Sequence, residues 1–285
     1  MRDSLHHVEG ARGQASALGL EVGEQYTSYV AWPGDRVVTT LTATQPYSME
    51  IAPFSYPFLG ELPYKGFFDV ERAHREAEEL RARGLDVCVS PVTAYSTLGW
   101  LNDPVTTPML RRGDGPLVET VIHELVHANV FIDDDPDFNE SVATFVGEEA
   151  SLRYFDDADL QRHEHQRIRR KRELSTLLLE FRNQVIAFYA TDLPDNERAR
   201  GRHALETAHR KRLATVDPEG RIRLHDACLA LHGTYAADIA DHAAILESLD
   251  GDLARFVARL RHAARSDRPR EAFGLGTDDA LGSRP

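Results

Sequence analysis

Residues 115–130 read GPLVETVIHELVHANV, and this stretch governs the interpretation of the whole chain. Its apolar residues recur so closely that a helix formed here would be apolar on most of its sides, which predicts a buried helix. Gly115-Pro116 favours a helix start, because proline is tolerated in the first turn. The centre of the stretch nevertheless carries His123, Glu124 and His127. A buried helix with three such residues must supply partners for them.

These three residues have the His-Glu-x-x-His spacing. Residues four apart lie one turn apart on the same helix face, so His123 and His127 can bind one metal ion, with Glu124 turned toward its water. Zinc lowers the pKa of such a water toward about 7 and polarises a carbonyl group, while the carboxylate serves as general base. The alternative is a pair of core histidines satisfied by backbone groups. Because unpartnered buried polar groups are costly, the metal site is the preferred interpretation.

A catalytic zinc ion usually has a third protein ligand, and the next predicted helix offers one. Asp133-Asp134-Asp135-Pro136 predicts a turn, and residues 138–145 predict the start of an amphipathic helix. A helix entered by a short turn packs antiparallel to the preceding one, which would return Glu140 to the histidines. A competing interpretation is a capping box, because Glu140 follows Asp137 by three residues. Two acidic residues further along, Glu148 and Glu149, are the fallback ligands, although a solvated face or a position behind the ligands is the preferred interpretation for them.

Four sequence blocks are similar to those shared by a bacterial family of predicted zinc aminopeptidases. The family patterns are Pro-Tyr-(Lys/Arg)-Gly-(Phe/Tyr)-Phe, Ala-Tyr-Ser-Thr-Leu-Gly-Trp, His-Glu-x-x-His and Phe-Asn-Glu-Ser-x-Ala. Here they stand at residues 63–68, 94–100, 123–127 and 138–143, and the similarity covers residues 25 to 155. The last block also resembles the Asn-Glu-(Gly/Ser)-x-Ala segment of gluzincin aminopeptidases, in which the glutamate is the third zinc ligand.

The resemblance implies a zinc aminopeptidase with a gluzincin-like body. Carried over by position, His123, His127 and Glu140 would bind one zinc ion and Glu124 would be the general base. Family members commonly begin with an export or lipoprotein signal, whereas residues 1–13 contain no apolar segment typical of one. We therefore expect a cytoplasmic location by default, although the similar family is often exported or lipid-anchored.

Zinc peptidases also need a hydrogen-bond donor for the oxyanion, and two tyrosines are candidates. Tyr235 lies in a predicted helical segment that can fold back over a cleft. Tyr95 follows a predicted strand that can pair with an extended peptide. For each, a core aromatic residue with a satisfied hydroxyl is an equally good interpretation. For the substrate amine Glu119 is a candidate, although a carboxylate in a first helical turn also simply favours the helix dipole.

The overall charge limits the classes of partner. Lys plus Arg total 33 against 46 Asp plus Glu, so the 285-residue chain has a net charge of −13 and nucleic-acid binding is not expected. No apolar run approaches the roughly 18 residues of a membrane span. We therefore expect a peptide or small amide substrate, with the oligomeric state undetermined. The two cysteines, Cys88 and Cys228, lie far apart and are predicted to be buried apolar residues rather than ligands.

Elsewhere, residues 1–65 carry most of the strand and turn signals, including a hairpin of residues 26–32 and 37–43. The prolines and aromatic residues between positions 46 and 68 predict an irregular loop packed on the core, with an aromatic wall for the substrate as the alternative. Asp69 and Gly84 are typical of the start and end of a helix, and a strand is predicted at 86–92. Further helices are predicted at 116–131, 138–155, 158–190, 195–214, 222–243 and 251–264.

This pattern predicts an α+β fold, with a small N-terminal β-sheet packed on a mainly α-helical, zincin-like (gluzincin) body. We expect a single metallopeptidase domain over residues 1–265. Its part up to residue 110 would be β-rich, and its part from 111 would be helical and hold the metal. The composition of residues 266–285 is typical of a disordered tail.

The function that these features favour is a zinc-dependent metallohydrolase, and by resemblance an aminopeptidase. Two alternatives stay open. One is a zinc hydrolase acting on a non-peptide amide or a specialised small molecule, which a panel of free-amine and N-blocked peptides would distinguish. The other is a non-catalytic binding module with a zincin fold. The intact Glu124 disfavours it, because loss of the general base is typical of inactive peptidases.

Overall fold

The computed structural model describes residues 2–56, 60–94, 101–133, 135–236 and 238–276. Its helices are α1 (Arg2–Ala17), α2 (Val70–Ala82), α3 (Thr107–Leu110), α4 (Asp114–Asn129), α5 (Pro136–Leu152), α6 (Ala158–Tyr189), α7 (Asp195–Leu213), α8 (Asp226–Ala236), α9 (Ile239–Ser248), α10 (Leu253–Ala263) and α11 (Pro269–Phe273). Its strands are β1 (Tyr29–Val30), β2 (Val38–Thr44), β3 (Phe54–Tyr56), β4 (Gly60–Leu62), β5 (Lys65–Phe67), β6 (Asp86–Val92) and β7 (Val105–Thr106). The chain is α+β and mainly helical, which confirms the predicted fold class. Among the described helices, none is long and apolar enough to cross a membrane.

The chain folds into two compact units, each built from separate segments. The first unit comprises Met1–Val37, Thr93–His165 and Ala237–Pro285, and the second comprises Val38–Val92 and Gln166–Ala236. In the first unit, α4 and α5 lie in the apolar core, which confirms the burial predicted for α4. Burying one large aliphatic side chain contributes about 1.5–3 kcal/mol, so this helix pair supplies much of the stability of the unit. Its fully buried residues include Leu117, Val121, Ile122, Leu125, Phe138 and Phe145.

The second unit contains a three-stranded antiparallel sheet in the order β5-β2-β6. Thr40 lies at its centre, opposite Gly66 on one side and Ser90 on the other. Helix α2 packs its small buried residues against this sheet, and its predicted ends are confirmed. The Asp69 carboxylate accepts a hydrogen bond from the backbone N–H of Glu71 at 2.9 Å, and Gly84 follows the helix with a φ of 88°.

The predicted hairpin of residues 26–32 and 37–43 is wrong. Strand β1 pairs in parallel with β7, whereas β2 pairs with β5 and β6. The partners of the first stretch come from much later in the chain. The Thr107 hydroxyl oxygen accepts a hydrogen bond from the backbone N–H of Trp32 at 3.1 Å and lies 2.9 Å from the Tyr29 hydroxyl. The turn between the two stretches therefore leads to a different sheet.

Four further features differ from the sequence prediction. The stretch predicted as an irregular loop contains β3, β4 and β5, and the helix predicted at 222–243 is two helices, α8 and α9. Residues 2–17 form α1 despite weak helical patterning, because Ala11 and Ala15 are fully buried in the core of the first unit. Regular structure also continues beyond residue 265, since α11 forms there and its Phe273 is completely buried. This corrects the predicted start of the tail.

The predicted burial is confirmed for Cys88, but Cys228 is only partly buried and the prediction missed the bond between the two. Cys88 on β6 and Cys228 on α8 form a disulfide, with their Cα atoms 5.0 Å apart. Their separation of 140 residues conceals this pairing in the sequence. The fold of the second unit brings the strand and the helix together.

Candidate metal centre

Helices α4 and α5 carry the predicted ligands, and the Asn139 side chain holds the described part of the turn between them. The Asn139 amide nitrogen donates to the Ile132 carbonyl at 2.7 Å, and its amide oxygen accepts from the Ile132 N–H at 2.9 Å. Asp135 caps α5, because its carboxylate accepts a hydrogen bond from the Phe138 N–H at 3.0 Å. The capping box of Asp137 and Glu140 is therefore excluded as the role of Glu140.

The three predicted ligand atoms converge on one point. The His123 and His127 Nε2 atoms are 3.0 Å apart, and the Glu140 Oε2 atom lies 3.4 Å from the first and 3.5 Å from the second. Two ligand atoms on a tetrahedral zinc ion, with bonds of about 2.0–2.1 Å, stand about 3.3 Å apart. All three side chains are at most 17% exposed. The donor set and its spacing therefore fit a single zinc ion.

The electrostatics of this group also suit a cation. Burial opposes the charged form of Glu140, but the His127 charge and hydrogen bonds from both imidazoles hold the pKa of this carboxyl far below its usual range. Burial likewise opposes protonation of His127, but the Glu140 carboxylate outweighs it and raises the pKa of the ring. An ionised carboxylate facing two imidazole nitrogens thus attracts positive charge, either a proton or a metal ion.

Glu124 lies beside this group on α4. Burial raises the pKa of Glu124 above its usual value, against the opposing effect of the two histidines. The negative charges of Glu140 and Asp103 add to the increase. A carboxylate with a raised pKa accepts a proton more readily than an exposed one, which is the property that a general base needs.

Tyr26 is a residue near this site that sequence reasoning missed. Its side chain is only 4% exposed, and its hydroxyl has no hydrogen-bond partner among the described residues. Burial raises its pKa well above the usual value, and the nearby carboxylates of Glu124 and Asp103 raise it further. Its backbone has a φ of 60°, and its N–H donates to the Asp103 carbonyl at 2.8 Å. Nothing in the sequence distinguishes it from the other tyrosines, because these features depend on residues far along the chain.

The remaining candidates are placed differently. Tyr235 lies half-buried on α8 in the second unit, and Tyr95 falls outside the described residues. Glu148 and Glu149 are buried on α5, where Glu149 pairs with Arg153, and neither joins the group of converging ligand atoms. Glu119 lies on α4 one turn before His123, partly exposed.

Comparison with known proteins gives one match. A family model described as "Putative aminopeptidase" matches residues 1–273. No curated protein and no solved structure matches the chain. The matched region contains both compact units up to α11 and every residue discussed for the metal centre.

Proposed function

Because the chain belongs to the family described as "Putative aminopeptidase", we propose that it is a zinc-dependent aminopeptidase. One zinc ion would be held by His123, His127 and Glu140. The observation that carries this proposal is the convergence of their ligand atoms, with separations of 3.0 to 3.5 Å, beside a buried glutamate. The bound zinc ion would supply an activated water and polarise the scissile carbonyl group.

The residues around the ion would transfer the proton, hold a ligand in position and limit access of water. Glu124 would take a proton from the attacking water onto its carboxylate and pass it to the leaving nitrogen of the substrate. Asn139 would keep Glu140 in position through its two hydrogen bonds to the backbone of Ile132. The low exposure of all three ligands would limit competing water, which strengthens every charge interaction in the site.

The donor to the oxyanion is the next element of the proposal. Tyr26 supplies a buried hydroxyl that makes no hydrogen bond to another described residue. The Glu124 carboxylate is close enough for its charge to raise the pKa of this hydroxyl. We therefore propose Tyr26 as a third candidate donor, in addition to the two tyrosines that the sequence suggested, Tyr235 and Tyr95. Its raised pKa keeps the phenol protonated, as a hydrogen-bond donor must be.

The first experiment measures bound zinc and activity together, on protein with its disulfide intact. We expect one zinc ion per chain in the wild type, loss of that zinc in Glu140→Ala, and retained zinc without activity in Glu124→Gln. Activity is assayed on aminoacyl anilides and on the same compounds with an acylated amine. Loss of the general base is expected to lower kcat about 10²- to 10⁴-fold.

The substrate panel separates the proposal from its rivals. An aminopeptidase cleaves the free-amine compounds and leaves the acylated ones intact. Equal cleavage of both contradicts the aminopeptidase assignment and favours a hydrolase of other amides. Stoichiometric zinc without any turnover would favour a binding module, and zinc binding unaffected by Glu140→Ala would overturn the ligand set.

A further inference from the structure

A second group of metal-binding side chains lies in the second unit, around the disulfide. Cys88 is buried on β6, Cys228 lies in the first turn of α8, and His225 immediately precedes that helix. The His225 Nε2 atom is 3.2 Å from the Cys228 Sγ atom. The two sulfur atoms and one imidazole nitrogen all lie within 4.8 Å of one another.

The Asp86 carboxylate orients the His225 imidazole by contacting its second nitrogen, Nδ1. Its Nδ1 atom is 3.1 Å from the Asp86 Oδ2 atom, which also accepts a hydrogen bond from the Ala227 N–H at 2.9 Å. The other Asp86 oxygen accepts from the Val87 N–H at 3.0 Å. A carboxylate that binds one imidazole nitrogen and leaves the other facing the ligand point is typical of histidines that bind metals. A disulfide by itself needs no such histidine.

We propose that reduction of the Cys88–Cys228 disulfide creates a zinc site formed by Cys88, Cys228 and His225, with Asp86 as its positioning residue. The reductant is a small dithiol. One of its thiolates attacks a disulfide sulfur and releases the other cysteine as a thiolate. Its second thiol then attacks the mixed disulfide and releases the remaining cysteine. The dithiol leaves as a cyclic disulfide, and both cysteines become thiols. Zinc binding then releases the two thiol protons to solvent.

The geometry allows this change with small movements. Two sulfur atoms on one tetrahedral zinc ion stand about 3.8 Å apart, and a sulfur and a nitrogen stand about 3.5 Å apart. The existing distance of 3.2 Å between Nε2 and the Cys228 Sγ atom is already close to that value. Only the bonded sulfur atoms must separate, and rotation of the two cysteine side chains can do this.

The surroundings suit a thiolate-rich site open to solvent. Cys228 lies at the start of an 11-residue helix, where the N-terminal dipole stabilises a thiolate. The side chains of His225 and Asp86 are 36% and 32% exposed, which provides an entry path and a fourth coordination position for water. Soft thiolate ligands with one imidazole favour zinc over magnesium or calcium.

This site is independent of the proposed peptidase centre, which has no sulfur ligand, and cobalt distinguishes the two. Full-length protein is freed of metal with a chelator, reduced with a phosphine, and titrated with Co²⁺ under exclusion of oxygen. We expect a thiolate-to-cobalt charge-transfer absorption that appears only after reduction and is abolished by added Zn²⁺. In parallel, bound zinc is expected to increase by one ion per chain on reduction.

Variants test each member of the site. Cys88→Ser and Cys228→Ser are expected to remove most of the charge-transfer absorption. His225→Gln is expected to weaken zinc binding strongly, and Asp86→Asn to weaken it about 10- to 100-fold. The matched control is His203→Gln on α7, because His203 is exposed and belongs to the same unit. It is expected to bind Co²⁺ and Zn²⁺ as the wild type does.

Either of two results from the metal titrations would overturn the proposal. One is a reduced wild-type chain that gives no charge-transfer absorption with Co²⁺. The other is a His225→Gln chain that binds zinc as tightly as the His203→Gln control. Circular dichroism is recorded throughout. If the reduced chain unfolds without metal, refolding upon addition of Zn²⁺ supports the site, and failure to refold contradicts it.

Discussion

Asn139 illustrates how a single side chain can position the candidate metal centre. Both of its amide hydrogen bonds go to Ile132, in the segment that connects α4 to α5. These bonds tie the first turn of α5 to the connecting segment. Glu140, the next residue of the helix, then faces the two histidines. Asn139 is only 4% exposed, and its hydrogen bonds are therefore shielded from competition by water.

Tyr26 is the residue whose role can be tested most directly. We expect Tyr26→Phe to lower kcat on aminoacyl anilides about 10²- to 10³-fold, because it removes one donor to the developing oxyanion. Zinc content and stability should stay close to wild type, since the hydroxyl has no described partner to lose. The control is Tyr29→Phe, whose exposed hydroxyl contacts Thr107. Steady-state kinetics of the two variants measure the effect. Equal kcat values would mean that Tyr26 is a packing residue of the core and not a donor to the oxyanion.

His242 is a second buried residue with a measurable consequence. It is fully buried, with its Nε2 atom 3.1 Å from the Ser141 hydroxyl oxygen. Burial, assisted by the positive charge of Arg270, lowers its pKa to about 3. Four aromatic rings surround it, those of Phe138, Phe145, Phe256 and Phe273. The folded protein therefore keeps this ring neutral at pH values where an exposed histidine is charged.

This difference makes the stability of the protein depend on pH. An unfolded histidine has a pKa of about 6.5, so the unfolded chain binds a proton as pH falls below that value while folded His242 does not. The contribution of neutral His242 to the free energy of unfolding is fully present above about pH 6.5. It is lost as pH falls through about 3, and its total is about 5 kcal/mol. Urea unfolding over this range should show a shallower pH dependence for His242→Phe than for wild type. His203→Gln, which changes an exposed histidine, should retain the wild-type slope, and parallel slopes for all three would contradict the prediction.

At the scale of elements, the close approach of α4 and α5 determines the geometry of the centre. A Cβ atom added at Gly147 on α5 would lie 2.8 Å from the Glu119 carbonyl oxygen and 3.4 Å from the His123 Cβ atom. Only a glycine allows this approach, because the first of these distances is shorter than real Cβ contacts. The helices therefore pack tightly next to His123, one of the proposed ligands.

Gly147→Ala is expected to separate the two helices and thereby disturb the ligands. We expect the free energy of unfolding to fall by about 1–3 kcal/mol, as for other overpacked cores, and zinc affinity to fall with it. Gly13→Ala on α1 is the matched control, because its added Cβ meets no atom within 4 Å. That exposed helical position should gain about 0.5–1 kcal/mol. Urea unfolding and zinc titration measure both effects, and unchanged zinc affinity in Gly147→Ala would show that the centre tolerates the separation.

At the scale of the whole molecule, the disulfide joins distant parts of the second unit. It links residues 140 positions apart, so it removes many conformations from the unfolded chain. Reduction in the presence of a chelator should lower the free energy of unfolding by about 2–5 kcal/mol. Chemical unfolding of the oxidised and reduced forms measures this directly. A Cys88→Ser chain should behave like the reduced wild type, whereas stability unaffected by reduction would contradict a stabilising role for the bond.

Local sequence determined the features that depend on neighbours in the chain. The apolar period around His123 and His127 determined a buried helix with both rings on one face, because helical geometry fixes residues four apart. Asp69 and Gly84 determined the two ends of α2 through a side-chain cap and a left-handed backbone. The α+β class and most helices beyond residue 114 follow from the same kind of local pattern.

Tertiary structure alone decided the features that depend on distant residues. It distinguished the two interpretations of Glu140, because its carboxylate faces the imidazoles while Asp135 caps the helix. It likewise brought Tyr26 near Glu124, gave β1 its parallel partner, and joined Cys88 to Cys228. Each of these contacts is made across many residues of chain. Their formation depends on how the apolar faces of whole elements pack, which no short stretch of sequence specifies.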